Sequence, residues 1–189
     1  NRIVNGKNGK NKNLEDYLTM FDIVEPLQTY DRLRYFVNRL MRTACVFEGM
    51  SYLELRYAPI GRTNKSSPMK KRIAEMEDIV DLIHGAIEEY SGSEDGKYPI
   101  IVKQILCIHA QYDDVVNDAV LKLAIKKFKE GKVIGLDLAG GEGKYGAKFE
   151  LYKSYFKKAK KAGLFTTAHM FETKNSPEKM AEFFPLLDR

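Results

Sequence analysis

Residues 100–138 read IIVKQILCIHAQYDDVVNDAVLKLAIKKFKEGKVIGLDL and decide the fold class. Two short, mainly apolar runs, residues 100–108 and 133–138, flank a stretch whose apolar residues recur every three or four positions until Gly131. Short apolar runs on either side of a helical period are typical of a βαβ unit, whose parallel strands are covered on both faces. The stretch therefore predicts a strand, a helix over about residues 114–130, and a second strand.

The same alternation continues in both directions along the chain. Glycines that follow apolar-periodic stretches mark helix ends, and Ser-Pro pairs mark helix starts. The further predicted elements are a helix at 31–48 stopped by Gly49, a strand at 52–57, a helix after Ser67-Pro68, a helix at 147–162, a strand at 165–170 and a last helix after Ser176-Pro177. Four parallel strands in an α/β fold follow. A doubly wound sheet and part of a (β/α)8 barrel both fit, and four strands cannot close a barrel that needs eight.

Composition excludes several classes of protein. The chain has 189 residues, 44% of them hydrophobic, and no apolar run approaches the ~20 residues of a membrane span. Residues 1–13 are polar and predict a flexible loop or tail without a signal peptide. Cys45 and Cys107 lie inside apolar patterns and predict buried, reduced thiols in a cytoplasmic protein. The net charge of +5 comes with no nucleic-acid-binding motif, so we expect no nucleic-acid partner.

Polar residues at the carboxyl ends of the strands are the candidate functional residues in either architecture. Arg56 ends the first strand, His109 follows the second, and His169 ends the fourth, with Glu172 three residues later. A neutral imidazole nitrogen can bind a metal, and a carboxylate can transfer a proton. His109 has two interpretations, as a site residue or as a polar cap on a buried strand.

The third strand ends in a glycine-rich segment. Gly141, Gly143 and Gly146 form the pattern G-x-G-x-x-G between a strand and a helix, which is the context of a dinucleotide-binding fingerprint. No carboxylate closes the following strand at the ~20 residues that such a site requires. The pattern is therefore more consistent with a glycine loop that covers an active site. The alternative is a nucleotide-binding or non-catalytic α/β module that uses this loop.

Several motifs resemble, in their order and spacing, those of the adenosine deaminase family, including its N6-methyl-AMP branch. The segments are YLELRYAP at 52–59 for the family's VEVRYSP, ILC at 105–107 for its ILC, LDLAGGE at 136–142 for its IDLAGDE, and TAHMFE at 167–172 for its VHAGE. Leu14 to Asp22 resembles the LDEFLAKFD helix near the pocket mouth. The resemblance favours the barrel and implies that residues 14–189 are the central portion of one (β/α)8 barrel domain.

The resemblance implies a zinc-dependent purine deaminase that converts adenosine, or a related adenine nucleoside or nucleotide, to inosine and ammonia with a metal-activated water. It gives roles to six residues of this chain. These are His169 as a metal ligand, Glu172 as the proton-transfer group, Gly140 as the glycine whose backbone meets the purine, and Tyr17, Leu18 and Phe21 as the apolar lid. A buried glutamate with a raised pKa suits protonation of the purine ring.

The sequence also departs from the family pattern. Met170 and Phe171 replace the two small residues of HAGE, and His109 stands in the Ile108 to Ala110 segment where the family has an Arg after ILC. The family's His-x-His pair, its later catalytic histidine and its Asp-Asp pair at a strand end have no counterpart in these residues. We therefore expect this chain alone to bind metal poorly and to be inactive.

Overall fold

Four parallel strands form the centre of the structure, a computed structural model that describes residues 17–19, 21, 25–91, 100–142, 145, 148–172 and 178–188. The strands are β1 (Tyr52–Tyr57), β2 (Ile101–His109), β3 (Val133–Ala139) and β4 (Phe165–Ala168). They lie in the order β1-β2-β3-β4 and every neighbouring pair is parallel. This confirms the predicted order. The order of the four described strands has no reversal, so these strands form no switch point of the kind at which a doubly wound fold binds a dinucleotide.

Helices precede, connect and follow the strands within the described ranges. They are α1 (Tyr30–Arg42), α2 (Met69–Ser91), α3 (Asp114–Lys129) and α4 (Phe149–Lys161), with short 3-10 helices at Glu25–Leu27, Pro59–Arg62 and Glu178–Leu186. The helix predicted at 31–48 changes into a π-helical turn, Thr43–Phe47, before Gly49 ends it with φ +67°. The last predicted helix is a 3-10 helix. Residues 1–13 and the Ser176-Pro177 cap lie outside the described residues.

Alternate residues of the central strands face different surroundings. Leu106, Ile108, Leu136 and Leu138 are completely buried in the main apolar cluster, which the helices share. Since successive side chains of a strand point to opposite faces, the intervening Asp137 lies on the face away from those helices. The sheet is not buried on both faces at the amino ends of β2 and β4, where the side chains of Ile101 and Phe165 are exposed.

The predictions on thiols and membrane spans are both tested by the fold. Cys45 and Cys107 are both buried, and neither forms a disulfide bond in the described part of the chain. None of the helices in the described ranges is long and apolar enough to cross a membrane.

Candidate active site

A cleft of about 460 Å³ opens at the carboxyl ends of the four strands. The ends of parallel strands meet at one edge of a sheet, so the polar residues that follow them converge there. The lining includes Leu18, Phe21, Glu25, Gln28, Arg56, Arg62, Cys107, His109, Tyr112, Gly140, His169 and Glu172. The sequence-predicted residues His169, Glu172, Gly140, Leu18 and Phe21 are thus brought together, whereas Tyr17 does not line the cleft.

A buried carboxylate connects the strands beneath this cleft. Asp137 of β3 is completely buried, and its register partner on β2 is Cys107, whose thiol donates to Asp137 Oδ2 at 3.3 Å. Arg56 Nη1 of β1 lies 3.5 Å from the same oxygen. Burial, followed by the charge of Asp137, raises the pKa of Cys107 well above its ordinary value, so the thiol stays protonated.

The imidazole of His169 is oriented by the same carboxylate. Its Nδ1 lies 3.3 Å from Asp137 Oδ2 and 3.2 Å from the carbonyl oxygen of Leu138. Both of these oxygens are acceptors, so we assign the imidazole hydrogen to Nδ1. Arg56 Nη1, a donor, also lies 3.3 Å from Nδ1. The hydrogen bond to Asp137 outweighs burial and raises the pKa of His169 above its ordinary value. This tautomer leaves Nε2 as the nitrogen that can bind a metal.

The second oxygen of Asp137 differs from the first. Asp137 Oδ1 is buried and has no hydrogen-bond partner among the described residues. A buried oxygen without any hydrogen bond is uncommon in native proteins, because each such group costs about 1–3 kcal/mol. The carboxylate that holds His169 therefore retains the capacity to accept another hydrogen bond.

The turn after β4 places Glu172 at the cleft. Phe171 has φ +59°, a left-handed conformation that glycine adopts freely and a phenylalanine rarely adopts. Its ring packs against Phe184 with centroids 5.6 Å apart. The backbone N–H of Glu172 then donates to Glu142 Oε1 at 3.3 Å. The side chain of Glu172 is exposed, so the expectation of a buried glutamate is not met.

The surroundings of Gly140, at the end of β3, leave no space for a side chain. Its φ is +103°, and a Cβ at this position would lie 2.7 Å from Cε1 of His109. Its carbonyl oxygen accepts a hydrogen bond from Tyr145 at 3.0 Å. Only glycine fits, which lets a ligand approach the backbone closely.

The two interpretations of His109 are both partly met. Buried Asn117 accepts from the backbone N–H of His109 at 2.9 Å and donates to its carbonyl oxygen at 3.1 Å, which fixes the end of β2. The His109 ring nevertheless lines the cleft, and its Nδ1 accepts from the backbone N–H of Gln111 at 3.3 Å.

The lid predicted from the first helical pattern is partly visible. The rings of Tyr17 and Phe21 meet edge to face, with centroids 5.5 Å apart. Leu18 and Phe21 line the cleft, whereas Tyr17 does not, and the rings of Tyr17 and Phe21 are both exposed. Leu14 and Asp22 lie outside the described residues.

The model of one protein family, adenosine deaminase, matches residues 3–186 of this chain. The chain belongs to the adenosine deaminase family. It is 33% identical over 161 residues to the adenosine deaminase of Clostridium perfringens, covering 85% of this chain and 44% of that protein. It is 28% identical over 181 residues to the human N6-methyl-AMP deaminase, covering 95% of this chain and 48% of that protein.

Solved structures agree on the fold. The adenine deaminase of Arthrobacter aurescens superposes with a TM-score of 0.66 at 16% identity, covering 93% of this chain and 49% of that one. The chain spans about half the length of the relatives it matches. Its four βα units are accordingly part of a (β/α)8 barrel, as the adenosine deaminase motifs indicated.

The metal implied by the adenosine deaminase family is only partly matched by these residues. The orientation of His169 suits one zinc ligand, since Asp137 and the Leu138 carbonyl oxygen contact Nδ1 and leave Nε2 to bind the metal. A catalytic zinc usually has three protein ligands. No group of three or more His, Cys, Asp or Glu side chains that could hold a metal lies within the described ranges.

Asp137 is a site residue whose position the sequence indicated, at the start of the segment Asp137 to Gly146 after the third strand, but without a role of its own. It lies inside the apolar run VIGLDL, where a lone acidic residue between two leucines was the available signal. A charged residue is rarely buried without a partner, so its position in a core strand points to a cation or a ligand nearby. Cys107 of β2 and His169 after β4 come next to Asp137 only through the register of the neighbouring strands.

Proposed function

We propose that this chain is the central part of a purine deaminase that hydrolyses adenosine, or a related adenine nucleoside or nucleotide, at C6 to give the inosine product and ammonia. The observation that carries the proposal is the imidazole of His169, fixed through Nδ1 by Asp137. It lines the same cleft as Glu172 and the backbone of Gly140. Membership of the adenosine deaminase family supports the same reaction.

His169 would hold a zinc ion through Nε2, together with ligands that the described residues do not supply. A zinc ion at such a site lowers the pKa of a water toward about 7, which makes it a nucleophile at neutral pH. Asp137 fixes the imidazole, since a carboxylate that accepts from the remote nitrogen selects the tautomer and orients the ring.

The other residues of the cleft act on the purine. Glu172 would donate a proton to N1, because C6 of an aromatic ring resists addition until N1 is protonated. The backbone at Gly140 would contact the base, where a Cβ would clash with His109. Leu18 and Phe21 would exclude water from the cleft. Residues 14–189 would belong to one barrel domain.

Two substitutions in the complete protein that contains this chain test the proposal. His169→Ala should abolish metal retention and activity together. Glu172→Gln should keep the metal and lower the turnover by at least ~10²-fold, the lower range for a lost proton-transfer group. Metal analysis of purified protein and release of ammonia from adenosine and AMP are the two measurements.

His84→Asn provides the matched control, since His84 lies on α2 and does not line the cleft. It should leave metal content and turnover unchanged. Near-normal turnover of Glu172→Gln would show that the proton-transfer role is wrong. Unchanged metal content per folded molecule in His169→Ala would remove the metal role.

A further inference from the structure

The carboxylate of Glu25 lies between two cations at the mouth of the cleft. Glu25 Oε1 is 3.4 Å from Arg62 Nη2, and Glu25 Oε2 accepts from Lys65 Nζ. Glu25 and Gln28 line both the cleft and a second cavity of about 500 Å³, whose wall includes Gly61 and Lys65. The carboxylate thus borders two adjoining spaces.

Arg62 is held firmly at this border. It ends the 3-10 helix that follows β1, its side chain is 14% exposed, and Nη1 donates to Gln28 Oε1. Its buried Nε has no hydrogen-bond partner among the described residues. A buried guanidinium with an unused N–H has donor capacity beyond what Glu25 and Gln28 fill.

The lack of a side chain at Gly61 leaves space beside the Glu25 carboxylate. A Cβ at this position would lie 3.3 Å from Glu25 Oε1 and 3.6 Å from the hydroxyl of Tyr112. A side chain here would crowd the carboxylate, which would have to move by a few tenths of an ångström. The glycine opens the space in which Arg62 and Lys65 meet the negative charge.

The charges at this position are unbalanced. Arg62 and Lys65 carry two positive charges and Glu25 carries one negative charge. Asp31, on the wall of the second cavity, is occupied with the hydroxyl of Thr29 at 2.5 Å and with Arg32 at 3.9 Å. A phosphate monoester carries a charge of about −1.5 to −2 and three acceptor oxygens, and therefore matches the two cations better than one carboxylate does.

We propose that Arg62 and Lys65 bind the phosphate of a nucleoside monophosphate, and that Glu25 takes the place of that phosphate in the ligand-free protein. The base would occupy the cleft beside His169 and Glu172, so this inference rests on the proposed function. It makes the substrate a nucleotide rather than a nucleoside. Nucleotide binding then requires Glu25 to leave the two cations.

Calorimetric titration of the complete protein with IMP and with inosine tests the phosphate site, because the two probes differ only in the phosphate. IMP should bind at least about tenfold more tightly than inosine, since a hydrogen bond to a charged group contributes about one to two powers of ten in affinity. Lys65→Gln should weaken IMP about tenfold and leave inosine unchanged. Glu25→Gln should strengthen IMP and leave inosine unchanged.

Lys71→Gln is the matched control, because Lys71 is an exposed lysine that pairs with Glu75 and lines neither cavity. It should change neither affinity. Arg62→Gln should remove most of the preference for IMP, and circular dichroism establishes whether that variant folds. Lys65 is 55% exposed, so its substitution keeps the test independent of folding.

The outcomes separate the two proposals. Equal affinities for IMP and inosine, unaffected by Lys65→Gln, would overturn the phosphate site and leave the purine deaminase standing. Weaker IMP binding by Glu25→Gln would overturn the displacement of Glu25. Binding of neither probe by folded, metal-loaded protein would overturn the proposed function itself.

Discussion

Two buried charged side chains, Asp137 at the cleft and Lys127 in the helix layer, differ in how completely their hydrogen-bonding atoms are paired. Lys127 Nζ lies 2.8 to 2.9 Å from carboxylate oxygens of Asp81, Glu77 and Glu130, and its side chain is only 2% exposed. Every hydrogen of that ammonium has an acceptor. Asp137 is equally buried but has one oxygen without a partner in the described part of the chain.

The difference separates structure from function. Burial of a charge is costly, and a complete set of partners makes it tolerable without reference to any ligand. A buried charge that is left incomplete and lies beneath a cleft is a candidate for a functional role. The Lys127 network should therefore affect mainly stability, and Asp137 should affect mainly the chemistry of the site.

Lys127→Met should give the largest loss of stability. The substitution leaves Asp81, Glu77 and Glu130 without their shared cation, and breaking a buried pair costs about 3–5 kcal/mol. These carboxylates are 33 to 40% exposed, so water screens them and we expect about 2 kcal/mol. Urea denaturation measures the change, and binding of metal by the complete protein should not alter.

Lys126→Met is the control, because Lys126 also pairs with Glu77 but is 56% exposed. It should cost less than about 1 kcal/mol.

The stability from these ion pairs should also depend on pH. Hydrogen bonds from Lys126 and Lys127 lower the pKa of Glu77, so the stabilisation by this carboxylate is present above the ordinary carboxylate pKa and is lost as pH falls through the lowered pKa. The difference between the wild type and Lys127→Met should therefore shrink below about pH 4. A difference that persists in acid would contradict the ion-pair explanation.

Much of the fold was predictable because its signals are local. Each strand is a short segment rich in apolar, aromatic or β-branched residues and each helix has its period, so the predicted strand bounds differ from the observed ones by at most two residues. The site depends on contacts between residues distant in sequence. Asp137 meets His169 and Arg56 only through strand register. Likewise, neither the π-helical turn at Thr43–Phe47 nor the left-handed Phe171 has a reliable local pattern.

Asp137→Asn should show the reverse of the Lys127 result. The amide keeps the shape of the carboxylate, so we expect the free energy of unfolding to change by less than about 1 kcal/mol. It removes the anionic acceptor of His169, and loss of such a partner typically costs 10–100-fold in metal affinity. Metal competition on the complete protein measures the affinity. A large loss of stability with unchanged affinity would place Asp137 in the same structural class as Lys127.

The smallest expected effect concerns the strained turn between the two proposed site residues. Phe171 has φ +59°, where the family's HAGE motif has glycine, and its ring packs on Phe184. Phe171→Ala and Phe171→Gly both remove the ring, but only glycine also relieves the left-handed strain of about 1–2 kcal/mol. The glycine variant should therefore be about 1 kcal/mol more stable than the alanine variant.

Phe184 provides the opposite case, because it lies inside the 3-10 helix Glu178–Leu186. There the alanine variant should be the more stable one by roughly 0.5–1 kcal/mol, since glycine loses more backbone freedom on folding. Loss of the ring contact is common to both positions, so the reversal of sign isolates the backbone of Phe171. Thermal denaturation of the four variants measures it. If alanine is favoured at both positions, the turn that places Glu172 at the cleft is not strained, and the replacement of glycine by phenylalanine at Phe171 costs the fold nothing.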